Sequence, residues 1–131
     1  MRNAWLIRPV PHGIPRVTEF KEKGIIAVGW PCIGNLKGKS REDLKHLLSL
    51  PPYSLTGLAL IDIFVNQMEV GDLLLMPNGE DIYLGEVTSD YYLDAAVDSN
   101  EEGYPHQRTA KWITNTSRKD LSMELRSSLK V

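Results

Sequence analysis

The sequence predicts an α+β domain, with a small curved sheet or barrel of about five to six strands and flanking helices. Short apolar runs bounded by glycine and proline predict the strands. Two stretches with apolar residues at helical spacing follow the second strand and predict helices inserted there. The sequence has no glycine-rich loop between a strand and a helix, which argues against a Rossmann or P-loop nucleotide site.

The length and charge of the chain narrow the functions it can have. At 131 residues it is expected to form a single domain over 1–131, long enough to bury a core. Its net charge of −2 argues against a general basic coat for nucleic acid but allows a local basic patch. No apolar run approaches the roughly 20 residues of a membrane span. No signal peptide is evident, so the expected location is the cytoplasm.

Cysteine and histidine usage argues against a disulfide framework or a metal centre. Cys32 is the only cysteine, and the three histidines show no metal-ligand spacing. No cofactor is therefore expected. Cys32 itself is predicted to be a small, half-buried hydrophobic residue rather than a nucleophile.

The start of the chain predicts two strands around a short helix. Residues 3–8 form an apolar first strand, and several prolines then force an irregular loop. Residues 17–23 form a short helix that ends at Gly24, because glycine readily takes the left-handed conformation found at helix C-termini. Residues 25–30 form a second strand, almost entirely apolar, that stops at Pro31.

Two further helices are predicted before the third strand. Ser40 and Asp43 resemble a capping box, and Pro51 ends the helix that starts there. Thr56 is expected to cap the next helix, which runs to Met68. The apolar residues of this helix recur at helical spacing, so it is predicted to be largely buried.

A strand hairpin is predicted in the middle of the chain. Gly71 and Asp72 are expected to form a tight turn at the start of a strand over 70–76. A hairpin turn over 77–79 then leads into a strand over 82–88.

The last part of the chain predicts one more strand and a helix. A polar and aromatic elbow over 89–94 is followed by an acidic run over 94–102, which is expected to be a solvated loop. The next strand is predicted over 104–112. A capping-box-like pattern at Ser117 predicts a final helix through Leu129.

Alternation along the strand over 104–112 places four side chains on one face, namely His106, Arg108, Ala110 and Trp112. Ala110 and Trp112 are predicted to be core. His106 and Arg108 then stand on the same face, toward the open end of the sheet. Polar side chains beside aromatic ones at the mouth of a small barrel are typical of a ligand pocket.

Six segments of the chain, taken in order, are similar to a known family. They are WLIR (5–8), GIIAVGW (24–30), VGDLLLMP (70–77), YLGEVT (83–88), YPHQRTAKW (104–112) and DLSMELRSSL (120–129). With these segments the chain resembles the EVE-type branch of the PUA-like superfamily, and in particular the amino-terminal domains of Mrr-type restriction endonucleases. In those proteins a nuclease domain follows a segment like the last of the six.

The resemblance implies a PUA-like, EVE-type barrel that binds nucleic acid. EVE and the related YTH domains hold a flipped, modified base in an aromatic pocket, so the expected partner is DNA with a modified base, in a restriction or defence system. Flipping costs a few kcal/mol, and stacking on an aromatic ring returns roughly 1–3 kcal/mol. The chain has no candidate catalytic residues, so it is not expected to be an enzyme. A nuclease would lie beyond Val131, in a longer restriction protein, or on a partner.

The candidate site residues fall into two groups. The expected base pocket consists of Trp30, Asp90, Tyr91, Tyr92, His106 and Arg108. The expected phosphate contacts are Arg8, Lys37, Lys39 and Arg41. Trp5 is predicted to be core, whereas Trp30 is compatible with either a pocket wall or the core. Of the two adjacent tyrosines, one is expected at the surface, and His106 has the alternative of a solvated strand end.

Two other functions stay open on the sequence alone. The same fold is compatible with an RNA-binding PUA-like domain. A small-molecule or protein-interaction domain without nucleic acid agrees better with the sequence pI of about 5.9, and the lysine cluster would then only aid solubility.

Overall fold

Three helices and six strands make up the part of the chain that the computed structural model describes, residues 2–99 and 102–117. The helices are α1 (Val17–Lys23), α2 (Arg41–Leu48) and α3 (Leu58–Asp62), which continues as a π-helical turn (Ile63–Gln67). The strands are β1 (Ala4–Leu6), β2 (Ile25–Val28), β3 (Leu73–Asn78), β4 (Asp81–Val87), β5 (Tyr92–Leu93) and β6 (His106–Ser117). The predicted α+β class and the predicted number of strands are confirmed.

The chain divides into two compact units. The described part of unit 1 comprises residues 2–27, 69–90 and 108–117. The described part of unit 2 comprises residues 28–68, 91–99 and 102–107. Unit 1 contains α1 and most of the sheet, and unit 2 contains α2, α3 and β5.

Unit 1 is built on a curved sheet with the strand order β1-β3-β4-β6-β2. β1 runs parallel to β3, while β4 is antiparallel to both β3 and β6. Asn78 pairs with Asp81, so the hairpin closes through Gly79 and Glu80, close to the predicted turn at 77–79. Gly79 has a φ of 62°, a conformation that glycine adopts without strain.

A β-bulge bends β6 where Trp112 lies over Gly85. The register with β4 shifts at Gly85, which leaves Ile113 as the extra residue on β6. A Cβ on Gly85 would lie 2.6 Å from Cε3 of Trp112, so only glycine leaves room for the indole. The indole nitrogen donates to Phe20 O at 3.1 Å. Ala110 is buried, as predicted, whereas Trp112, which was also predicted to be core, is only half-buried.

Asp72 anchors the turn that leads into β3, called the Asp72 turn (Gly71-Asp72) below. Its buried carboxylate accepts hydrogen bonds from Trp5 Nε1 at 2.8 Å, from Glu69 N at 3.0 Å and from Asn3 N at 3.3 Å. Three donors offset the cost of placing a carboxylate away from water. Gly71 has a φ of 95°, which confirms the predicted tight turn. The prediction that Trp5 is core is also confirmed.

In unit 2, α2 begins at the predicted capping box. Ser40 Oγ accepts from Asp43 N at 3.1 Å, and the Asp43 carboxylate accepts from Ser40 N at 3.0 Å. The hydrogen bond from the Ser40 backbone is the main reason that the pKa of Asp43 lies below its usual value. Leu44 and Leu48 form the buried side of the helix. The two capping bonds satisfy backbone N–H groups that a helix start leaves without intrahelical partners.

Asp62 on α3 is a buried carboxylate of unit 2. It accepts hydrogen bonds from Asn66 Nδ2 at 2.9 Å, from Gln67 Nε2 at 3.0 Å and from Arg41 Nη1 at 3.1 Å. Burial raises the pKa of Asp62, but the three hydrogen bonds and the Arg41 charge outweigh it, so the pKa is lowered. Because Arg41 is the first residue of α2, this contact ties α2 to α3.

Several predicted boundaries in the first half differ from the structure. Thr56 does not cap a helix, because it lies in a short 3-10 turn (Leu55–Gly57) and α3 starts at Leu58. β2 ends at Val28 instead of residue 30, since Trp30 leaves the extended conformation.

The boundaries in the second half differ as well. β6 covers His106–Ser117 instead of 104–112, and the predicted elbow contains the short strand β5. Ser117 ends β6 and does not begin a helix within the described residues. The rest of the predicted final helix lies outside them.

Candidate functional site

The backbone turns sharply just after β2, at Trp30, Pro31 and Cys32, called the Trp30 turn below. Trp30 has a φ of 55° and Cys32 a φ of 66°. Within the described residues only His12 shares a positive φ among non-glycine residues. A left-handed backbone costs such a residue about 1–2 kcal/mol. It persists where the surroundings impose it, and such strain clusters at functional sites.

Each residue of the Trp30 turn has a backbone group that is bound by a distant side chain. The carbonyl of its first residue accepts from His106 Nε2 at 2.9 Å. The carbonyl of its second residue accepts from Tyr53 Oη at 2.9 Å. The N–H of its third residue donates to Asp98 Oδ1 at 2.6 Å. His106, Tyr53 and Asp98, called the clamp residues below, hold the turn in its strained conformation. All three belong to unit 2.

The partners of His106 determine its tautomer. A backbone carbonyl only accepts, so Nε2 carries the proton that is shared with Trp30 O. Nδ1 of the neutral ring is then an acceptor, and it receives the hydrogen bond of the Tyr91 hydroxyl at 2.6 Å. Tyr91 Oη in turn accepts from Leu36 N at 3.0 Å. The two rings are stacked with centroids 5.7 Å apart, and each of these polar groups has a partner.

Burial keeps the rings around the turn neutral. It lowers the pKa of His106, although the hydrogen bond to Trp30 O and the charge of Asp98 act in the opposite direction. It also raises the pKa of Tyr91 and that of Tyr53. At neutral pH the turn is therefore surrounded by uncharged rings, with one carboxylate beside them.

The indole of Trp30 is held in place but not enclosed. A Cβ on Gly57 would lie 2.1 Å from Cζ2 of Trp30, so the ring lies directly against the backbone of Gly57. Trp30 is half-buried, whereas Trp5 is 5% exposed. Trp30 is therefore not a fully buried core residue, and its role as a pocket wall stays a prediction. An aromatic face fixed in this way is suited to stacking.

Three of the predicted pocket residues, Trp30, Tyr91 and His106, come together in this network. His106 is not a solvated strand end: it is fully buried and both ring nitrogens are bound to protein atoms. The contacts of His106 therefore indicate that it positions the turn. Tyr92 is half-buried and lies apart from this network, with its hydroxyl donating to Gln107 Oε1 at 3.1 Å.

The other two predicted pocket residues, Asp90 and Arg108, belong to unit 1. Arg108 is buried, and its Nη1 donates to Ser89 O at 3.1 Å. Burial lowers the pKa of Arg108, while the negative charges of Asp90 and Asp72 oppose that shift. Asp90 itself is exposed. These contacts indicate that Arg108 ties the end of β4 to β6, in place of the expected contact with a phosphate or a base edge.

The four predicted phosphate contacts are all exposed: Arg8, Lys37, Lys39 and Arg41. Arg8 follows β1 in unit 1, and Arg41 already pairs with a buried carboxylate of α3. Lys37 directly follows Leu36, whose N–H binds Tyr91, and Lys39 N donates to Leu36 O at 3.1 Å. The two lysines are thus exposed cations on the segment that Leu36 connects to Tyr91.

Sequence reasoning missed two of the three clamp residues. Asp98 falls in the acidic run that was expected to be a solvated loop, yet its carboxylate binds Cys32 N. Tyr53 follows two prolines and shows no spacing pattern that predicts a partner. Cys32 is exposed, which corrects the expectation that it is half-buried. The only signal for Tyr53 in the sequence is that it is an aromatic residue directly after two prolines.

The chain belongs to the family described as Domain of unknown function (DUF8426), whose model matches residues 14–130. The match includes all of the Trp30 turn and its three clamp residues. A comparison with curated proteins found no match. The description of this family assigns no activity to it.

Neither a membrane-spanning helix nor a metal site is found in the described ranges 2–99 and 102–117. No helix there is long and apolar enough to cross a membrane. No group of three or more histidine, cysteine, aspartate or glutamate side chains is placed to hold a metal ion there.

Proposed function

We propose that this domain is a DNA-binding module that reads a modified base for a restriction or defence system, with the base flipped out of the duplex onto Trp30. The observation that carries the proposal is the Trp30 turn, a strained and clamped segment that presents a half-buried indole. The resemblance to EVE-type PUA-like domains supports the same function, as does the curved sheet of unit 1.

A preformed aromatic surface is suited to binding a flipped base, because it costs free energy to remove the base from the duplex. Flipping a base costs a few kcal/mol, and stacking returns roughly 1–3 kcal/mol. The margin is small, so any further ordering of the protein on binding would weaken the complex. Because His106, Tyr53 and Asp98 already hold the Trp30 turn, the indole needs no such ordering.

The modification itself is recognised by apolar contact. A base methyl group that leaves water contributes about 0.8 kcal/mol, close to a fourfold change in affinity. The indole of Trp30 and the ring of Pro31 are the apolar groups of the turn. A methyl or hydroxymethyl group against these rings would distinguish the modified base from the plain one.

The phosphate backbone is held by Lys37 and Lys39 in this proposal. Both are exposed on the segment that follows Leu36, which is itself bound to Tyr91. Each phosphate contact adds about 0.9 to the slope of log affinity against log salt for duplex DNA. Cutting of the DNA would be done by a domain beyond Val131 or by a partner chain.

The first test is binding to matched DNA duplexes, plain or carrying one 5-methylcytosine, 5-hydroxymethylcytosine or N6-methyladenine. We expect tighter binding to one modified duplex. Trp30→Ala should lower that affinity about tenfold or more, because the stacking surface is lost. Trp112→Phe, at a half-buried tryptophan of unit 1, is the matched control and should bind normally. If Trp30→Ala unfolds, Trp30→Phe keeps a ring and should bind with intermediate affinity.

Two results would overturn the proposal. One is equal binding of plain and modified duplexes by the wild-type protein, and the other is a folded Trp30→Ala variant with unchanged affinity. Tighter binding to matched RNA than to any DNA would assign the site to RNA.

The role of the lysines is tested by salt dependence. Lys37→Glu with Lys39→Glu should weaken binding to plain and modified duplexes alike and reduce the salt slope by about 2. Arg2→Glu with Lys45→Glu changes the net charge equally at other exposed positions and is the control. Equal losses in both double variants would mean that net charge, and not this segment, determines the affinity.

A further inference from the structure

We propose that Asp98 selects the base, by accepting a hydrogen bond from an exocyclic amine, so that the domain takes modified cytosine or adenine and rejects thymine. This inference rests on the proposed function and adds the chemical class of base to it.

The position of Asp98 supports this role. Its Oδ1 accepts from Cys32 N at 2.6 Å, two residues from Trp30. Gly103 lies against the same turn, since a Cβ on it would be 2.8 Å from Cβ of Pro31. Asp98 is half-buried, as Trp30 is. The carboxylate is therefore bound to the same short turn that carries the indole. In this proposal a base stacked on the indole presents its edge to the carboxylate.

The chemistry of a carboxylate determines which edge fits. An ionised carboxylate only accepts hydrogen bonds. Oδ1 accepts from Cys32 N, and in this proposal Oδ2 accepts from the ligand. Cytosine N4 and adenine N6 each offer an amine donor, whereas thymine offers a carbonyl oxygen at the matching position. A carbonyl oxygen facing the carboxylate would be repelled.

The charge at the turn also favours a base edge over a phosphate. The negative charge of Asp98 acts on Tyr53, Tyr91 and His106, and burial keeps all three of these rings neutral. Asp98 is therefore the one charged group among the clamp residues and Tyr91. A phosphate placed here would meet a carboxylate, while an amine would meet an acceptor.

The test compares 5-methylcytosine with thymine, each opposite guanine in the same duplex. The two bases share the methyl group and differ in the substituent at C4 and the proton at N3. A mismatched thymine flips more easily, so a preference for 5-methylcytosine cannot come from the cost of flipping. We expect the wild-type protein to bind the 5-methylcytosine duplex about tenfold tighter. If N6-methyladenine binds best in the first test, adenine and hypoxanthine form the corresponding pair.

Asp98→Asn is the informative variant. Its amide oxygen still accepts from Cys32 N, so the turn is kept, while its NH2 group now donates to a thymine oxygen. We expect the preference for 5-methylcytosine to fall to about equality or to invert. Asp94→Asn is the matched control, because Asp94 lies in the same acidic run and also accepts from a backbone N–H, that of Ala96. It should leave the preference unchanged.

The outcomes separate this inference from the proposed function. If Trp30→Ala abolishes the preference for modified DNA but Asp98→Asn leaves the cytosine-to-thymine ratio unchanged, Asp98 is only a clamp and the inference is wrong. If the wild-type protein binds the thymine duplex as tightly as the 5-methylcytosine duplex, the inference is wrong even where Asp98→Asn does not fold. If the wild-type protein does not distinguish modified from plain DNA, the proposed function fails first.

Discussion

The Asp72 turn and the Trp30 turn contain similar residues but differ in burial and in backbone strain. In each, a carboxylate accepts a backbone N–H and a tryptophan is close by. Asp72 also binds the indole N–H of Trp5, and both of these residues are buried. Asp98 binds a backbone N–H of the Trp30 turn, and both Asp98 and Trp30 are half-buried.

The difference lies in which residue carries the left-handed backbone. At the Asp72 turn it is Gly71, which adopts a φ of 95° without steric cost. At the Trp30 turn it is Trp30 and Cys32, which carry side chains and are strained by this conformation. A turn that only reverses the chain uses glycine. A turn that has tryptophan at a left-handed position depends on surrounding contacts to offset the strain.

The largest expected effect is a difference between the two tryptophans in how much each contributes to the free energy of unfolding. Trp5→Ala should reduce the free energy of unfolding by about 3–5 kcal/mol, because it leaves a large cavity and removes a donor from Asp72. Trp30→Ala should cost about 1–2 kcal/mol, since the ring is half-buried. Urea unfolding measures both values. An equal loss for the two variants would break the comparison and make Trp30 a core residue.

A smaller effect on stability tests the hydrogen bonds of Tyr91 that support His106. Tyr91→Phe removes the hydroxyl that connects Leu36 N to His106, and it leaves two buried polar groups without that partner. We expect a loss of about 2–3 kcal/mol in the free energy of unfolding. Tyr92→Phe removes one hydroxyl from a half-buried neighbour and should cost no more than about 1 kcal/mol. Equal losses of stability in the two variants would mean that the hydrogen bonds of Tyr91 stabilise the fold no more than the hydrogen bond of Tyr92 does.

The smallest effect is a dependence on pH. Burial lowers the pKa of His106 in the folded state, so the unfolded chain binds more protons as the pH falls below the usual value of 6.5. The stability from neutral His106 is therefore present above pH 6.5 and is lost as the pH falls through the folded pKa. The loss is at most about 1.4 kcal/mol per pH unit.

The check is urea unfolding at neutral and mildly acidic pH. His106→Gln keeps a donor and an acceptor but does not titrate, so it should show a flatter dependence than the wild-type protein. His46→Gln, at an exposed histidine, should retain the wild-type slope. A slope that is the same for all three proteins would show that acid does not act through His106.

Much of the fold could be predicted because its signals are local. The capping box at Ser40 and Asp43 marks the start of α2 within four residues of chain. Gly24 and Gly71 mark turns through a property of glycine itself. The burial of Trp5 follows from the apolar strand that contains it. In each case the residues that interact, or the conformation required, can be recognised from near neighbours.

The candidate site was predicted less completely because its decisive contacts are distant. Trp30, Tyr91 and His106 could be named as aromatic or polar residues near strand ends. Which of them contact one another was shown only by the hydrogen bonds of the structure. Arg108 has the same pattern of alternation as His106, yet it is buried against Ser89 in unit 1. Alternation shows which face a side chain takes, but not which partner it meets there.

The sequence by itself determined the α+β class, the order of most elements and the glycine turns, since these depend on periodicity and on backbone preferences of single residues. Only the tertiary structure decided the conformation of the Trp30 turn. Its clamp residues come from 22, 66 and 76 positions away in the chain. The local preference of tryptophan and cysteine is against a left-handed backbone. Side chains that arrive from the rest of the fold overcome that preference by satisfying the backbone groups which the turn exposes.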